Sequence, residues 1–134
     1  MDDNGSGETF GCERCWPPSA DAAWDFRRAL TCEADLIDES HFHVMVLACP
    51  DCSQRFVSVF TETIDWANGD DPQYWAVLPI AGAEAADLAR RRGSLTETEL
   101  NTLGPGRRCL RRDHPKGEAP CCFWGAGISV RWHD

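Results

Sequence analysis

The sequence predicts an α+β fold in which a small antiparallel sheet carries two to three short helices. Three observations support this prediction. The length of 134 residues favours a single domain. Hydrophobic residues alternate with period two from residue 41, as in a strand, and recur with helical spacing over residues 19–33. We expect a disordered acidic tail over residues 1–10 and one domain over 11–134.

The first predicted strand begins at His41 and should be central, because both of its faces are largely apolar. One face carries Phe42, Val44, Val46 and Ala48, and the other carries His43, Met45 and Leu47. Residues 56–64 are expected to form its hairpin partner, and 73–80 a third strand after the turn-rich NGDDP. Residues 128–132, ISVRW, alternate again and predict a final strand.

Three segments carry helix patterns. The first covers residues 19–33, with Ser19 as its N-cap. The second covers 83–92, and a third, short helix follows a capping box formed by Thr96 and Glu99. These helices complete the predicted α+β domain.

The chain shows no targeting or membrane-spanning pattern. Its first ten residues are polar and acidic, and no segment approaches the roughly 18 consecutive apolar residues of a membrane helix. We therefore expect a cytoplasmic protein. In that reducing compartment, cysteine clusters more often bind metal than form disulfides.

Four of the eight cysteines form two C-x-x-C pairs: Cys12 and Cys15 in CERC, and Cys49 and Cys52 in CPDC. Each such turn offers two thiolates, and two turns complete the tetrahedral Cys₄ site that structural zinc prefers. Redox chemistry is disfavoured because Cys52 precedes a β-branched and aromatic run instead of a helix. Disulfide bonds or free thiols would also be compatible with the spacing. The prediction is one structural Zn²⁺.

The segment HVMVLACPDCSQRFVSVF, an apolar strand followed by a C-P-x-C turn and a second strand, resembles the second half of a zinc ribbon. The resemblance covers about residues 10–65 and implies a sheet built on a zinc-ribbon hairpin. The 33 residues between the two pairs exceed the usual spacing of about 15–20. A helix is expected to fill the excess.

The C-terminal third holds a candidate second metal site. Its potential ligands lie within 14 residues and are Cys109, His114, Cys121 and Cys122. The prolines and glycine among them predict a loop-like segment that a second zinc would hold together. However, adjacent cysteines do not readily ligate one ion, and the spacing matches no common zinc pattern. The competing interpretation is that these are buried free cysteines, as is Cys32 on the first predicted helix.

No pattern for catalysis is visible, since the sequence lacks a Ser-His-Asp order, a glycine-rich phosphate loop and H-E-x-x-H. We therefore expect a protein that is not an enzyme. Its formal net charge of −9 is unevenly distributed. Residues 1–88 hold 4 basic and 17 acidic side chains, whereas residues 89–134, an arginine-rich extension, hold 9 and 5.

This charge distribution favours a basic protein partner over nucleic acid, because phosphates would be repelled by the acidic half. The candidate partner-binding residues are Asp35, Asp38, Glu39, Glu62, Asp65, Trp66, Asp70, Asp71 and Trp75. An inhibitor or immunity-type protein is one form that such a module takes. A second hypothesis is a nucleic-acid-binding zinc ribbon that uses the C-terminal arginines. The acids could equally be solvated, the tryptophans core, and the arginines their neutralising partners.

Overall fold

In a computed structural model, residues 9–134 form a six-stranded sheet with three α-helices, which confirms the α+β prediction. The predicted tail lies almost entirely outside these described residues. The strands are β1 (Thr31–Glu39), β2 (Phe42–Ala48), β3 (Arg55–Glu62), β4 (Gln73–Ile80), β5 (Arg108–His114) and β6 (Cys121–Ala126). The helices are α1 (Ala20–Phe26), α2 (Gly82–Arg90) and α3 (Glu97–Asn101).

The strands follow one another in the sheet in chain order, and every neighbouring pair is antiparallel. The predicted strands from 41, over 56–64 and over 73–80 correspond to β2, β3 and β4. β2 is an interior strand, as its two apolar faces predict, because it pairs with β1 on one side and β3 on the other.

Apolar side chains are buried on both faces of the sheet. The helix face carries Val44, Val57, Leu78 and Cys109 and is covered by α2, α3 and the C-terminal residues. The opposite face carries Phe56, Val77 and Leu110 and is covered by α1 and the loops that contain the two C-x-x-C turns. We call these turns the knuckles and this side of the sheet the knuckle face. The metal-site residues therefore pack against the sheet as one of its two covering layers.

The first helix is shorter than predicted. Ser19 caps it as expected, its Oγ accepting a hydrogen bond from the N–H of Ala22. The α-helix ends at Phe26, a 3₁₀ turn follows to Ala29, and residues 31–33 belong to β1. The sequence did not predict β1 because an edge strand with an exposed side needs few apolar residues. Cys32 is accordingly exposed on β1 and not buried in a helix.

The prediction of a loop-like segment around Cys109–Cys122 was wrong. This region forms the β5–β6 hairpin, with a turn over residues 115–120. The arginines of β5 hid the strand pattern. Arg111 and Arg112 point to opposite faces, where their long apolar stems can pack while their charged ends reach polar or aromatic groups.

The predicted strand over 128–132 is absent from the structure. Gly127, with φ of +68°, turns the chain from the edge of the sheet onto the helix face. The alternating apolar residues of 128–132 do face the core, since Ile128 is buried and Val130 packs against the same core cluster. The N–H of Val130, however, donates to Asn101 Oδ1 at 2.7 Å and not to a strand.

Alternating strand directions place the loops at two opposite ends. The knuckle end consists of residues 10–18 and 49–54. The distal end consists of residues 39–41, 63–72, 115–120 and 131–134. The last of these ranges belongs there because Asp134 accepts a hydrogen bond from the N–H of Ile64 in the β3–β4 loop. No helix in the described range 9–134 is long and apolar enough to cross a membrane.

Candidate metal centre

The second cysteine pair sits on the tight turn between β2 and β3. The N–H of Cys49 donates to Gln54 O, and the N–H of Ser53 donates to Cys49 O, both at 2.9 Å. Ser53 adopts φ of +66°, the left-handed conformation that reverses the chain after the second cysteine. This backbone curl directs the Cys49 and Cys52 thiols to the same side of the turn.

The first pair forms a similar turn in the loop before α1. The N–H of Trp16 donates to Cys12 O at 2.9 Å, and Gly11 leads into the turn with φ of +73°. A Cβ at Gly11 would lie 2.9 Å from Cys15 Sγ, closer than real Cβ contacts allow. Trp16 anchors the loop by packing on Phe56 of β3, with ring centroids 5.3 Å apart. Glycine is therefore required at the entrance to the site.

The two turns bring all four predicted ligand atoms together. The Sγ atoms of Cys12, Cys15, Cys49 and Cys52 all lie within 4.8 Å of one another. The Cys12–Cys15 and Cys15–Cys52 separations are 3.7 Å, and Cys12–Cys49 is 3.9 Å. A tetrahedron with Zn–S bonds of about 2.3 Å has sulfur atoms about 3.8 Å apart. The cluster can therefore bind one metal ion and fits the size of zinc.

The protein environment alone would not hold four thiolates. A hydrogen bond from the backbone of Cys15 lowers the pKa of the Cys12 thiol to about 7. Burial instead raises the pKa of Cys15 and of Cys52, which favours the neutral thiol. A divalent cation at the centre would offset this penalty and displace the protons. The donor set is thus that of a closed structural site.

Gln54 connects the two turns to the sheet, a role that no sequence pattern indicated. Its Oε1 accepts a hydrogen bond from the N–H of Gly11 at 2.9 Å. Its Nε2 donates to the carbonyl oxygens of Arg55 and Ile80, each at 2.8 Å. One side chain therefore fixes the first turn, the second turn and the end of β4 relative to one another.

The candidate second site does not assemble. Cys109 is buried on the helix face of β5, and burial raises the pKa of its thiol to about 11. Cys121 and Cys122 are consecutive in β6 and so point to opposite faces of the sheet. Within residues 9–134, Cys12, Cys15, Cys49 and Cys52 form the only group of three or more potential ligands close enough to hold one ion.

Four of the seven predicted partner-binding acids hold the β3–β4 loop or the strand ends beside it in place instead of projecting into solvent. Asp65 accepts hydrogen bonds from the N–H groups of Ala67, Asn68 and Asp70, and its carboxylate lies 3.2 Å from Lys116 Nζ. Asp70, Asp71 and Glu62 also accept hydrogen bonds, from Gly117, Asp65 and Gln73 respectively. These contacts fix the loop that carries Trp66.

The remaining candidates divide into exposed and packed residues. Glu39 and the side chain of Asp38 are exposed. Asp35 is engaged within the fold, with its Oδ1 2.8 Å from His43 Nε2. Trp66 is 89% exposed, whereas Trp75 packs between Trp24 and Phe60. The sequence pattern did not identify Trp132, which is 82% exposed and belongs to the distal end.

Most arginines of the C-terminal third contact acidic or aromatic side chains of the same chain. Arg91 pairs with Glu99, and Arg107 with Glu84. Arg108 stacks on Trp124, with its guanidinium carbon 3.9 Å from a ring centroid, and Arg112 stacks on Trp24 at 4.9 Å. Arg108 and Arg112 lie on the knuckle face of β5, where they contact Trp16 and Trp24, respectively.

Comparison with protein-family models, curated proteins and solved structures found no match to this chain.

Proposed function

We propose that this protein is a non-enzymatic interaction module, stabilised by zinc at the knuckle end, that binds a basic protein through the distal end. The observation that carries the proposal is the exposure of two tryptophans there, Trp66 at 89% and Trp132 at 82%. Large aromatic side chains are costly to leave in water and are enriched among interface anchors.

The charge of the distal end supports a basic partner. Its four segments hold six acidic and two basic residues. Opposite charge accelerates encounter, and lysine or arginine side chains can also stack on exposed indoles. An inhibitor that masks the nucleic-acid-binding surface of its target would have such a partner. Nucleic acid binding has less support, because most arginines of the C-terminal third already contact acidic or aromatic side chains of the same chain.

The test uses the indole N–H signals of the six tryptophans in a two-dimensional NMR spectrum, titrated with a decalysine peptide as the probe. Selective shifts of the Trp66 and Trp132 signals, absent at high salt, are the expected result. The double variant Trp66→Ala, Trp132→Ala should lose binding, whereas Trp124→Phe should retain it. The proposal fails if the probe shifts no distal signal, or if a single-stranded oligonucleotide binds in its place.

A further inference from the structure

The two edges of the sheet differ in how they are protected. β1 pairs with β2 through a register interrupted between Cys32 and Ala34 and again between Asp35 and Ile37. It also carries four acidic residues. Bulges and charges of this kind prevent another strand from pairing with an edge. β1 is therefore a blocked edge.

The opposite edge, β6, has neither form of protection. Its sequence is CCFWGA, without a charged residue, and it pairs with β5 over six consecutive positions without a register shift. No strand among the residues that the structure describes pairs with its outer side, where the carbonyl oxygen of Ala126 accepts a hydrogen bond from Arg111. Phe123 on this strand is 36% exposed.

The backbone groups that face outward can be identified from the register. The N–H of Gly127 donates to Arg107 O at 2.8 Å, which continues the β5–β6 pairing. Because antiparallel pairs alternate, residues 121, 123 and 125 share hydrogen bonds with β5, and the backbone groups of Cys122 and Trp124 face away from the sheet. These groups can accept another strand.

We propose that the occupant of this edge is a second copy of the chain, with the two β6 strands antiparallel about a two-fold axis at Trp124. In this register Phe123 lies opposite Gly125 of the second copy, so the largest exposed side chain of the strand meets the residue without one. A two-fold interface requires such self-complementarity.

Arg111 adds a second complementary feature. Its guanidinium folds over Gly125, where a Cβ would lie 2.7 Å from Nε, and it donates to the carbonyl oxygens of Ala126 and Gly127. The Phe123 ring of the second copy would therefore meet a cation, a favourable contact for an aromatic ring. Since β1 is blocked, pairing stops at a closed dimer with a continuous twelve-stranded sheet.

The test measures the mass of the zinc-loaded protein by light scattering and sedimentation, in reductant, from about 1 to 200 μM. The monomer has a mass of 14.9 kDa, and we expect a concentration-dependent rise to about 30 kDa. A protein that remains monomeric throughout this range would overturn the proposal.

Two variants, each with a matched control, locate the interface. Phe123→Lys places a charge beside Arg111 of the second copy and should raise the dissociation constant at least about tenfold, whereas Trp132→Lys, also an exposed aromatic, should not. Cys122→Pro removes one outward N–H while leaving the bonds to β5 intact, so it should weaken dimerisation. Cys122→Ser keeps that N–H and should dimerise like the unmodified protein. Circular dichroism and zinc content check that each variant folds. A folded Phe123→Lys variant that dimerises like the unmodified protein would place the interface elsewhere.

Discussion

At the knuckle end, four thiols face one another within 4.8 Å, whereas at the distal end two tryptophans face solvent. The knuckle end also contains a tryptophan, Trp16, but it packs against Phe56 and Trp124. Both ends are built from loops with little regular structure. Two loop regions of similar regularity therefore differ in how their aromatic side chains are partnered: the tryptophan of the knuckle end packs on other rings, whereas those of the distal end have few neighbours.

The largest expected effect is the loss of the metal site. Zinc binding of this kind contributes about 10–16 kcal/mol, comparable with the roughly 5–15 kcal/mol total stability of a domain. Cys49→Ser, at a buried ligand, should therefore abolish stoichiometric zinc binding and leave the chain largely unfolded by circular dichroism. Cys32→Ser is the matched control, since Cys32 is exposed on β1. Native-like melting of the Cys49→Ser variant would show that metal binding at the knuckle end does not contribute this stability.

The next effect concerns pH. Burial raises the pKa of Cys15 and of Cys52, so zinc must displace a proton from each near pH 7. The apparent zinc affinity should consequently fall by at least about 100-fold from pH 8 to pH 7, and the stabilisation by zinc should weaken with it. Cys12, with a pKa of about 7, adds a fraction of a proton to the slope near neutrality and a full proton only at lower pH. Competition titrations with a chelator measure this slope, and an affinity independent of pH would exclude a four-thiolate site.

A smaller effect is expected at Gln54. Gln54→Ala leaves the N–H of Gly11 and the carbonyl oxygen of Ile80 without their partner, which should cost about 1–3 kcal/mol in urea unfolding of the zinc-loaded protein. Gln54→Glu keeps the acceptor for Gly11 and loses the donor to Ile80, so it separates the two contacts. Unchanged stability in both variants would mean that the metal alone holds the knuckle end together.

The smallest effect on stability should come from the distal end. Trp66→Ala is expected to change the free energy of unfolding by less than about 0.5 kcal/mol, because this side chain has few neighbours to lose. The same substitution at Trp16 should cost about 3–5 kcal/mol, since it removes a packed ring. Thermal melts of the two variants compare the same residue type at both ends. Equal losses of stability would show that Trp66 is packed as firmly as Trp16.

Local chemistry was sufficient to predict much of this protein. The C-x-x-C pairs identified all four clustered cysteines, because a ligand turn is defined by residues three apart. Alternation identified β2, β3 and β4, which have buried apolar faces, and the Thr96–Glu99 capping box correctly located the start of α3. In each case the interactions that decide the conformation involve residues close in sequence.

Only the tertiary structure decided the rest. β1 and β5 are strands because a neighbour offers them backbone partners, although their own apolar pattern is weak. Gly127 turns ISVRW away from the sheet, and pairing across the β5–β6 hairpin puts Cys121 and Cys122 on opposite faces. Whether a tryptophan is exposed, as Trp66 is, or packed against other rings, as Trp75 is, likewise depends on residues distant in sequence. Sequence spacing specifies local turns and periodicity, whereas backbone pairing and burial are satisfied between residues far apart in the chain.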